Sequence, residues 1–447
     1  MKKGMFFALA ASSLLFSACS SDDAVVSTEG QNEAVQQIVL QVASSGDGLT
    51  TRAGRPLYSS QALQTIQNVR VVIYNADTKK IVKDATQDWT KSTTYNNHGH
   101  GRQFTLTFKG NDRLEKGNYK VMAVGYSNES DYEYSLNATS AVGLTYDDIT
   151  ATLKAGKKEA EEVFAGDADL KIGDDKKITN LTSGEENGVA VTLHRQVAGS
   201  FGYFQNIPAS VNGKAAATLR LVVRDKNDVL TFNNFNSSFT ANGATGSTIK
   251  YYVNGSKSTS AATADAKFYN NEDGYVLYSI DLSKWFTEGD KNKDGLLNAE
   301  DTWQHPSSVN TQVVKGSVFG SNFVIPFNYA KGKSTMELQL LDAENNIIKT
   351  WTVSIPKDDV NTDTANGVKD ASTSIFNVVR NHMYNLGVKT SNGTTPDPSN
   401  PDPKPTDPDP DKPKPGTDEP EDLTKSQNLI LKVNDNWEAI HKLELGD

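Results

Sequence analysis

The stretch GLTTRAGRPL, residues 48–57, holds the first basic residue after Lys3 and lies among Gly and Thr with no strand pattern of its own. A trypsin-like protease needs one basic side chain on accessible, extended backbone. Arg52 supplies it, with Arg52–Ala53 as the bond to be cut. Arg55 is a poor alternative, because Pro56 follows it and its ring obstructs most such proteases. Taken alone, Arg52 is an ordinary loop arginine, so its meaning depends on what lies on either side.

A second constellation is DKNKDGLLNAED, residues 290–301. Its spacing matches the calcium-loop pattern, with Asp290, Asn292, Asp294, the Leu296 carbonyl and Asp301 as ligands, Gly295 at the sharp turn and Leu297 as an apolar anchor. Asp at the last position reaches less far than the usual Glu, and no helix pair flanks the loop. The reading is a structural Ca²⁺ that stabilises a loop, set against a solvated acidic turn. No other cofactor is required. His98 and His100 lie in NNHGHGR, where two glycines favour a turn and no third metal ligand is near. G-x-S-x-G, H-E-x-x-H and a phosphate-cradling glycine loop are all missing from the sequence, so no catalytic site is assigned and the chain is read as a non-enzyme.

The elements that must position these residues are strands. Of 447 residues only 36% are apolar, whereas Gly, Thr, Asn and Ser are plentiful, a mix suited to β-structure with many turns. A net charge of −10 argues against a nucleic-acid partner. AVQQIVLQVAS (34–44) places Ile38, Leu40 and Val42 on one face, the period-2 pattern of a half-buried strand. Further strand patterns recur in NVRVVIYNA, QFTLTF, YKVMAVGY, ATLRLVV, YVLYSIDL, NFVIPF, TMELQLL and IIKTWTVSIP, while DLSKWF reads as a single helical turn. VAVTLHRQVAGSFGYF leads from a first module into a second, and VVRNHMYNLGVKT closes the second. The fold class is all-β: two β-sandwich domains, 53–198 and 199–390.

At both ends the composition changes. MKKGMFFALAASSLLFSAC is a secretory signal over 1–18, ending at Cys19, the only cysteine of the chain. Residues 19–52 form an N-terminal propeptide that carries the strand of Ile38, Leu40 and Val42. Residues 391–426 alternate Pro with charged residues, which excludes core and sheet and reads as an extended linker; 395–420 would span roughly 80 Å at ~3.1 Å per residue. Beyond it, in 427–447, Leu429, Leu431, Val433, Trp437, Ala439, His441, Leu443 and Leu445 share the odd-numbered face. Such a strand, or two joined by a kink at Asp435–Asn436, needs a groove supplied by the chain itself or by a neighbour.

Three features now connect: an anchored N-terminal strand, a cleavable loop after it, and a tethered terminal strand whose Leu429, Leu431 and Val433 echo Ile38, Leu40 and Val42. LFSAC is similar to the lipobox of bacterial lipoproteins, and SSDD after it to the acidic surface-export signal of some Bacteroidia lipoproteins. In this order, LFSAC, TRAG, LHRQVA (193–198), VVRNHMY (378–384) and the Trp-containing tail resemble the type V pilus shaft subunits of the Bacteroidia, the fimbrillin-A and Mfa-type fimbrillins. The resemblance implies two transthyretin-like sandwiches plus a tethered C-terminal donor strand. It also implies lipidation (palmitate) at Cys19, an Arg-specific protease cutting after Arg52, and removal of the first strand. The donor would then fill the vacated groove of the next copy, head to tail, with separate anchor and tip pilins. The location implied is first the cell outer membrane, through the lipid, then an extracellular fimbrium with a role in adhesion. Arg195, Arg380 and Tyr384 are read as packing or pairing at domain edges. The rival reading is a monomeric surface carbohydrate-binding lipoprotein of a glycan-utilisation system.

Overall fold

The computed structural model describes residues 35–43, 66–94, 101–136, 140–232, 254–258, 264–309, 313–328, 336–354, 369–370, 375–378, 380, 383–388, 419–425, 428–430 and 432–434. The chain is all-β. Helical structure among these residues is limited to three 3₁₀ turns, Trp89–Lys91, Gly110–Asp112 and Leu282–Lys284, the last in the DLSKWF stretch.

Seven long strands build the first module: β1 (Gln36–Ala43), β2 (Asn68–Asn75), β3 (Ile81–Asp88), β4 (Gly101–Phe108), β5 (Gly117–Tyr126), β6 (Phe164–Ile172) and β7 (Gly188–Arg195). With the short strand Thr93–Thr94 beside β4, they run in the order β3-β2-β5-β6-β7-β1-β4. β7 joins two layers. Its body pairs with β1 from Gly188 to Leu193, and only His194 and Arg195 pair with β6. Alternating apolar residues on facing sides then enclose one core, including Ile38, Leu40, Val71, Val121, Phe164 and Val191. Where the layers meet, a Cβ on Gly166 would overlap the Thr192 carbonyl, so glycine is what lets β6 approach β7.

A second module follows at once. Its strands are β8 (Ala198–Gln205), β9 (Thr218–Val223), β10 (Asp273–Asp281), β11 (Ser317–Val324), β12 (Met336–Leu341), β13 (Ile347–Ser354), β14 (Met383–Leu386), β15 (Asn428–Ile430) and β16 (Lys432–Asn434). One sheet has the order β11-β8-β14-β16 with Glu421–Asp422 also beside β8; the other runs from Ala266–Lys267 through β10-β9-β12-β13-β15. Phe201, Tyr203, Leu221, Leu338, Trp351 and Tyr384 are buried between them. The same core continues to Val72, Met122 and Val124 on the outer side of β2 and β5. A small sheet combines Tyr132–Tyr134 and Thr150–Leu153 with Val229–Thr231 and Gly255–Ser256, so strands from both halves of the sequence pair across the junction.

Candidate functional site

β1 is an interior strand of the first module. Gln36–Ala43 lies antiparallel to β4, with Gln36 opposite Phe108 and Ala43 opposite Gly101. On its other side Gln37–Val42 runs parallel to Gly188–Leu193 of β7. Such a strand spends main-chain groups on both edges, unlike an edge strand. The sequence pattern points Ile38 and Leu40 inward, and both are 0% exposed, but Val39, expected outward, is only 4% exposed. Both faces are covered. Val42 sits in register with Leu193 and Arg102. Gln36 closes the entry. Its buried amide donates to the carbonyls of Leu114 (3.0 Å) and Lys176 (2.8 Å), and its side-chain oxygen accepts the Leu114 N–H (2.8 Å). Nothing in the sequence singles out Gln36. Cys19, Arg52 and Ala53 lie outside the described residues, as do His98 and His100.

At the C-terminal end the geometry corrects two expectations. The Pro/Asp-rich composition predicts no sheet through residue 426. Instead Val388 and Glu419 form a bridge, each N–H donating to the other's carbonyl at 2.8 and 2.9 Å, so residues 389–418 leave and return at one point. Glu421–Asp422 then pairs with Phe204–Gln205 of β8, the Asn206 amide donates to Asp422 at 2.9 Å, and Leu423 is buried in the core. VVRNHMYNLGVKT is expected to close the second module, but its β14 lies inside the sheet, and the chain after 418 closes it. The physical reason is that pairing is decided by the residues beside the prolines, which keep their own N–H groups.

The donor-strand pattern is also divided. β15 pairs parallel with Thr352–Ser354 of β13, and β16 pairs antiparallel with Met383–Asn385 of β14. Residues 428–434 therefore pass from one sheet of the second module to the other. Leu429 is buried in that core and Val433 stands opposite Tyr384. A continuous strand over 427–447 would require one partner sheet, so the change of sheet falls between Ile430 and Lys432, earlier than the kink read at Asp435–Asn436. Leu431, Trp437, His441, Leu443 and Leu445 lie outside the described residues.

Between the modules lies a buried polar cluster whose convergence sequence reasoning missed. Arg195 reaches Glu162 through Nε (3.0 Å) and Nη2 (2.7 Å) and lies over the Phe164 ring at 5.1 Å. The Gln196 amide donates to the His194 carbonyl at 2.6 Å, while its carbonyl and side-chain oxygens accept from Asn254 at 3.1 Å each. Arg380 donates to Gln196 Oε1 at 3.3 Å. Arg195, Glu162, Gln196, Asn254 and Arg380 are all buried, so both arginines hydrogen-bond inside the junction between the modules. The arginines that follow apolar strand residues in LHRQVA and VVRNHMY are the available signal; Glu162, in EEVF, gives none.

The 290–301 loop is ordered by its own hydrogen bonds. Asp290 Oδ2 accepts from Gly295 N (2.9 Å) and Asp294 Oδ1 from Leu296 N (2.8 Å). Asp294 is held below the usual carboxylate range by that N–H first, then by the Asn298 and Asn292 amides. Lys293 and Gly295 take the left-handed turn conformation, φ 63° and 89°. Asp301, the expected last ligand, is committed elsewhere: Oδ1 accepts from Lys291 N (2.9 Å) and Oδ2 from Asn298 N (3.0 Å). Leu296 and Leu297 pair with Pro208 and Ile207. Asp290, Asn292 and Asp294 share the turn, while both Asp301 side-chain oxygens accept main-chain N–H groups. Among the described residues no group of three or more His, Cys, Asp or Glu side chains is placed to hold a metal.

No protein-family model matches this chain, and no curated protein sequence matches it. Solved structures give distant likenesses. The tip fimbrial protein Mfa3 of Porphyromonas gingivalis is 8% identical over 79% of this chain and 94% of its own, with a TM-score of 0.34. The fimbrial anchor protein Mfa2 of the same organism is 11% identical over 81% and 94%, with a TM-score of 0.33. A fimbrial assembly protein of Parabacteroides distasonis is 14% identical over 80% and 92%, with a TM-score of 0.32. Likenesses this distant assign no function to this chain.

Proposed function

We propose that this chain is a subunit precursor of a cell-surface pilus, polymerised by strand exchange and acting in adhesion. One observation carries the reading. An N-terminal strand occupies an interior position of the first module, paired on both edges and buried on both faces, yet the chain reaches it only through the segment that contains Arg52. Cutting Arg52–Ala53 turns β1 into a separate peptide held without covalent bonds. Its departure opens a slot between β4 and β7, with unpaired main-chain groups on both sides and vacant positions for Ile38, Val39 and Leu40. Such a slot favours an extended apolar segment and selects its register through alternate side chains. Filled by the tail of a second copy, it gives a head-to-tail contact that does not close on itself, hence a filament.

In this proposal Cys19 is lipidated, the precursor is held at the outer membrane before cleavage, and anchor and tip subunits occupy the filament ends. No catalytic role is proposed for any residue. The test uses the precursor from Ser20 onward under limited trypsin digestion. The expected result is one early cut giving a new N-terminus at Ala53, release of residues 20–52, and filaments by negative-stain microscopy. A cut protein that stays monomeric with β1 bound refutes the proposal and favours the carbohydrate-binding alternative.

A further inference from the structure

The side chains of β1 that face the core begin with Gln36, Ile38 and Leu40, all buried, so a buried amide precedes the buried aliphatics. We propose that the slot holding β1 ends in a socket for a side-chain carboxamide, and that this socket fixes the register of whichever strand fills the slot. For β1 the inference stands on the geometry; for an incoming segment it rests on the strand-exchange reading.

Main-chain groups from two turns make the socket. The Leu114 N–H and carbonyl come from the turn between β4 and β5, and the Lys176 carbonyl from the turn between β6 and β7. Both turns are braced. Ile172 and Ile178 form a bridge, the Gly173 N–H donates to the Lys177 carbonyl at 2.9 Å, and Lys176 takes the left-handed conformation, φ 57°. On the other side the Tyr119 hydroxyl donates to the Glu115 carbonyl at 3.0 Å, and the Lys176 ammonium pairs with the Glu115 carboxylate from one turn to the other. The socket therefore offers one N–H and two carbonyls in fixed places. Among side chains, only a primary amide presents two N–H groups and an acceptor on one flat head. A carboxylate has no donor, lysine and arginine have no acceptor, and asparagine is one methylene shorter.

Register needs such a device because the apolar pattern does not settle it alone. A slip of one residue turns the row over and is resisted by the alternation itself. A slip of two preserves the row. If Ile38 took the place of Gln36, Leu40 and Val42 would take the places of Ile38 and Leu40, aliphatic for aliphatic. What opposes that slip is the socket, whose N–H and two carbonyls would then face an isoleucine and lose their partner, a costly outcome for buried main-chain groups. The opposite slip buries the Gln36 amide at the apolar position of Ile38. The segment this slot accepts is thus an extended one with glutamine two residues ahead of its first core-facing aliphatic side chain.

The test reads register in the intact precursor from Ser20, which has no other thiol because Cys19 is the only cysteine. Gln41 stands opposite Gln103, and after the two-residue slip it would stand opposite Thr105. Opposed residues on antiparallel strands come close enough for a disulfide. Gln41→Cys is therefore combined with Gln103→Cys in one protein and with Thr105→Cys in another, and disulfide formation is followed in a glutathione buffer. With Gln36 in place the first pair should close at least ~30-fold faster than the second. Gln36→Leu, similar in size, should shrink that ratio to about threefold or less, and so should Gln36→Glu. A second arm uses cut wild-type protein, so that no variant has to fold. Peptides of residues 34–44 compete with residues 20–52 for the slot. The Gln36→Leu and Gln36→Glu peptides should need at least ~30-fold higher concentration than the unchanged one. If no peptide enters, strand exchange fails, and the cross-link ratio still decides the socket. A ratio unchanged by Gln36→Leu and Gln36→Glu, or a Gln36→Leu peptide that competes within about twofold of the unchanged one, overturns the inference.

Discussion

Leu40→Ala gives the most direct access to the proposed mechanism. Leu40 is fully buried, paired with Phe104 on one side and Val191 on the other. Removing its side chain to Ala costs about 2–5 kcal/mol, the loss of transfer energy plus an unfilled cavity. In the intact precursor that cost appears as lowered stability, but β1 stays in place because the covalent connection keeps its effective concentration high. After cleavage at Arg52 the same cost falls on the affinity of a free peptide. About 3 kcal/mol corresponds to roughly 10²-fold in that affinity, expressed mainly as faster dissociation. The assay cuts wild type and Leu40→Ala under identical conditions, then follows residues 20–52 by size-exclusion chromatography and mass spectrometry. Filament growth is recorded in parallel by light scattering. The expected outcome is peptide release about 10²-fold faster and a shortened lag in assembly, with no filaments from either uncut protein. Equal release rates for the two cut proteins refute the argument that burial of β1 controls exchange. Filaments from uncut Leu40→Ala refute the role of cleavage.

The buried Arg195–Glu162 pair makes a second prediction: Glu162→Ala should cost about 3–5 kcal/mol in urea unfolding, because it removes the buried carboxylate that accepts from two nitrogens of the Arg195 guanidinium. The double change Glu162→Leu with Arg195→Met should recover most of that loss. Asp342 is held down to about 2 by the Asn346 amide first, with Lys214 and the Asn346 N–H adding to it. Its folded value lies below its unfolded one, so its contribution is full above about pH 4 and disappears as pH falls toward about 2. Urea midpoints measured from pH 5 to 2 should fall, and Asp342→Asn should flatten that slope. The 290–301 loop already holds its shape through N–H donors to Asp290, Asp294 and Asp301, so a cation should add little order and 1 mM Ca²⁺ should raise the melting temperature by no more than about 1 °C over EDTA. A larger rise, abolished by Asp290→Asn, would show that the loop rearranges around the ion.

By itself the sequence determined the strand content. Period-2 runs such as NVRVVIYNA and TMELQLL carry their own signal, since alternate side chains on a pleated strand face opposite sides. It also determined that Ile38, Leu40 and Leu429 seek a core, and that Gly295 lies in a tight turn. Only the tertiary structure decided that β1 is interior: the burial of Val39 depends on what covers its second face, which no local pattern encodes. The division of the tail between β13 and β14 is likewise a matter of partners more than forty residues away in sequence. The meeting of Val388 with Glu419 is another pairing that no local pattern announces. Arg195, Gln196 and Arg380 converge for the same reason. Pairing in a sheet is non-local, so the sequence can specify a strand and its apolar face, while the neighbour that satisfies its two edges is chosen by the fold as a whole.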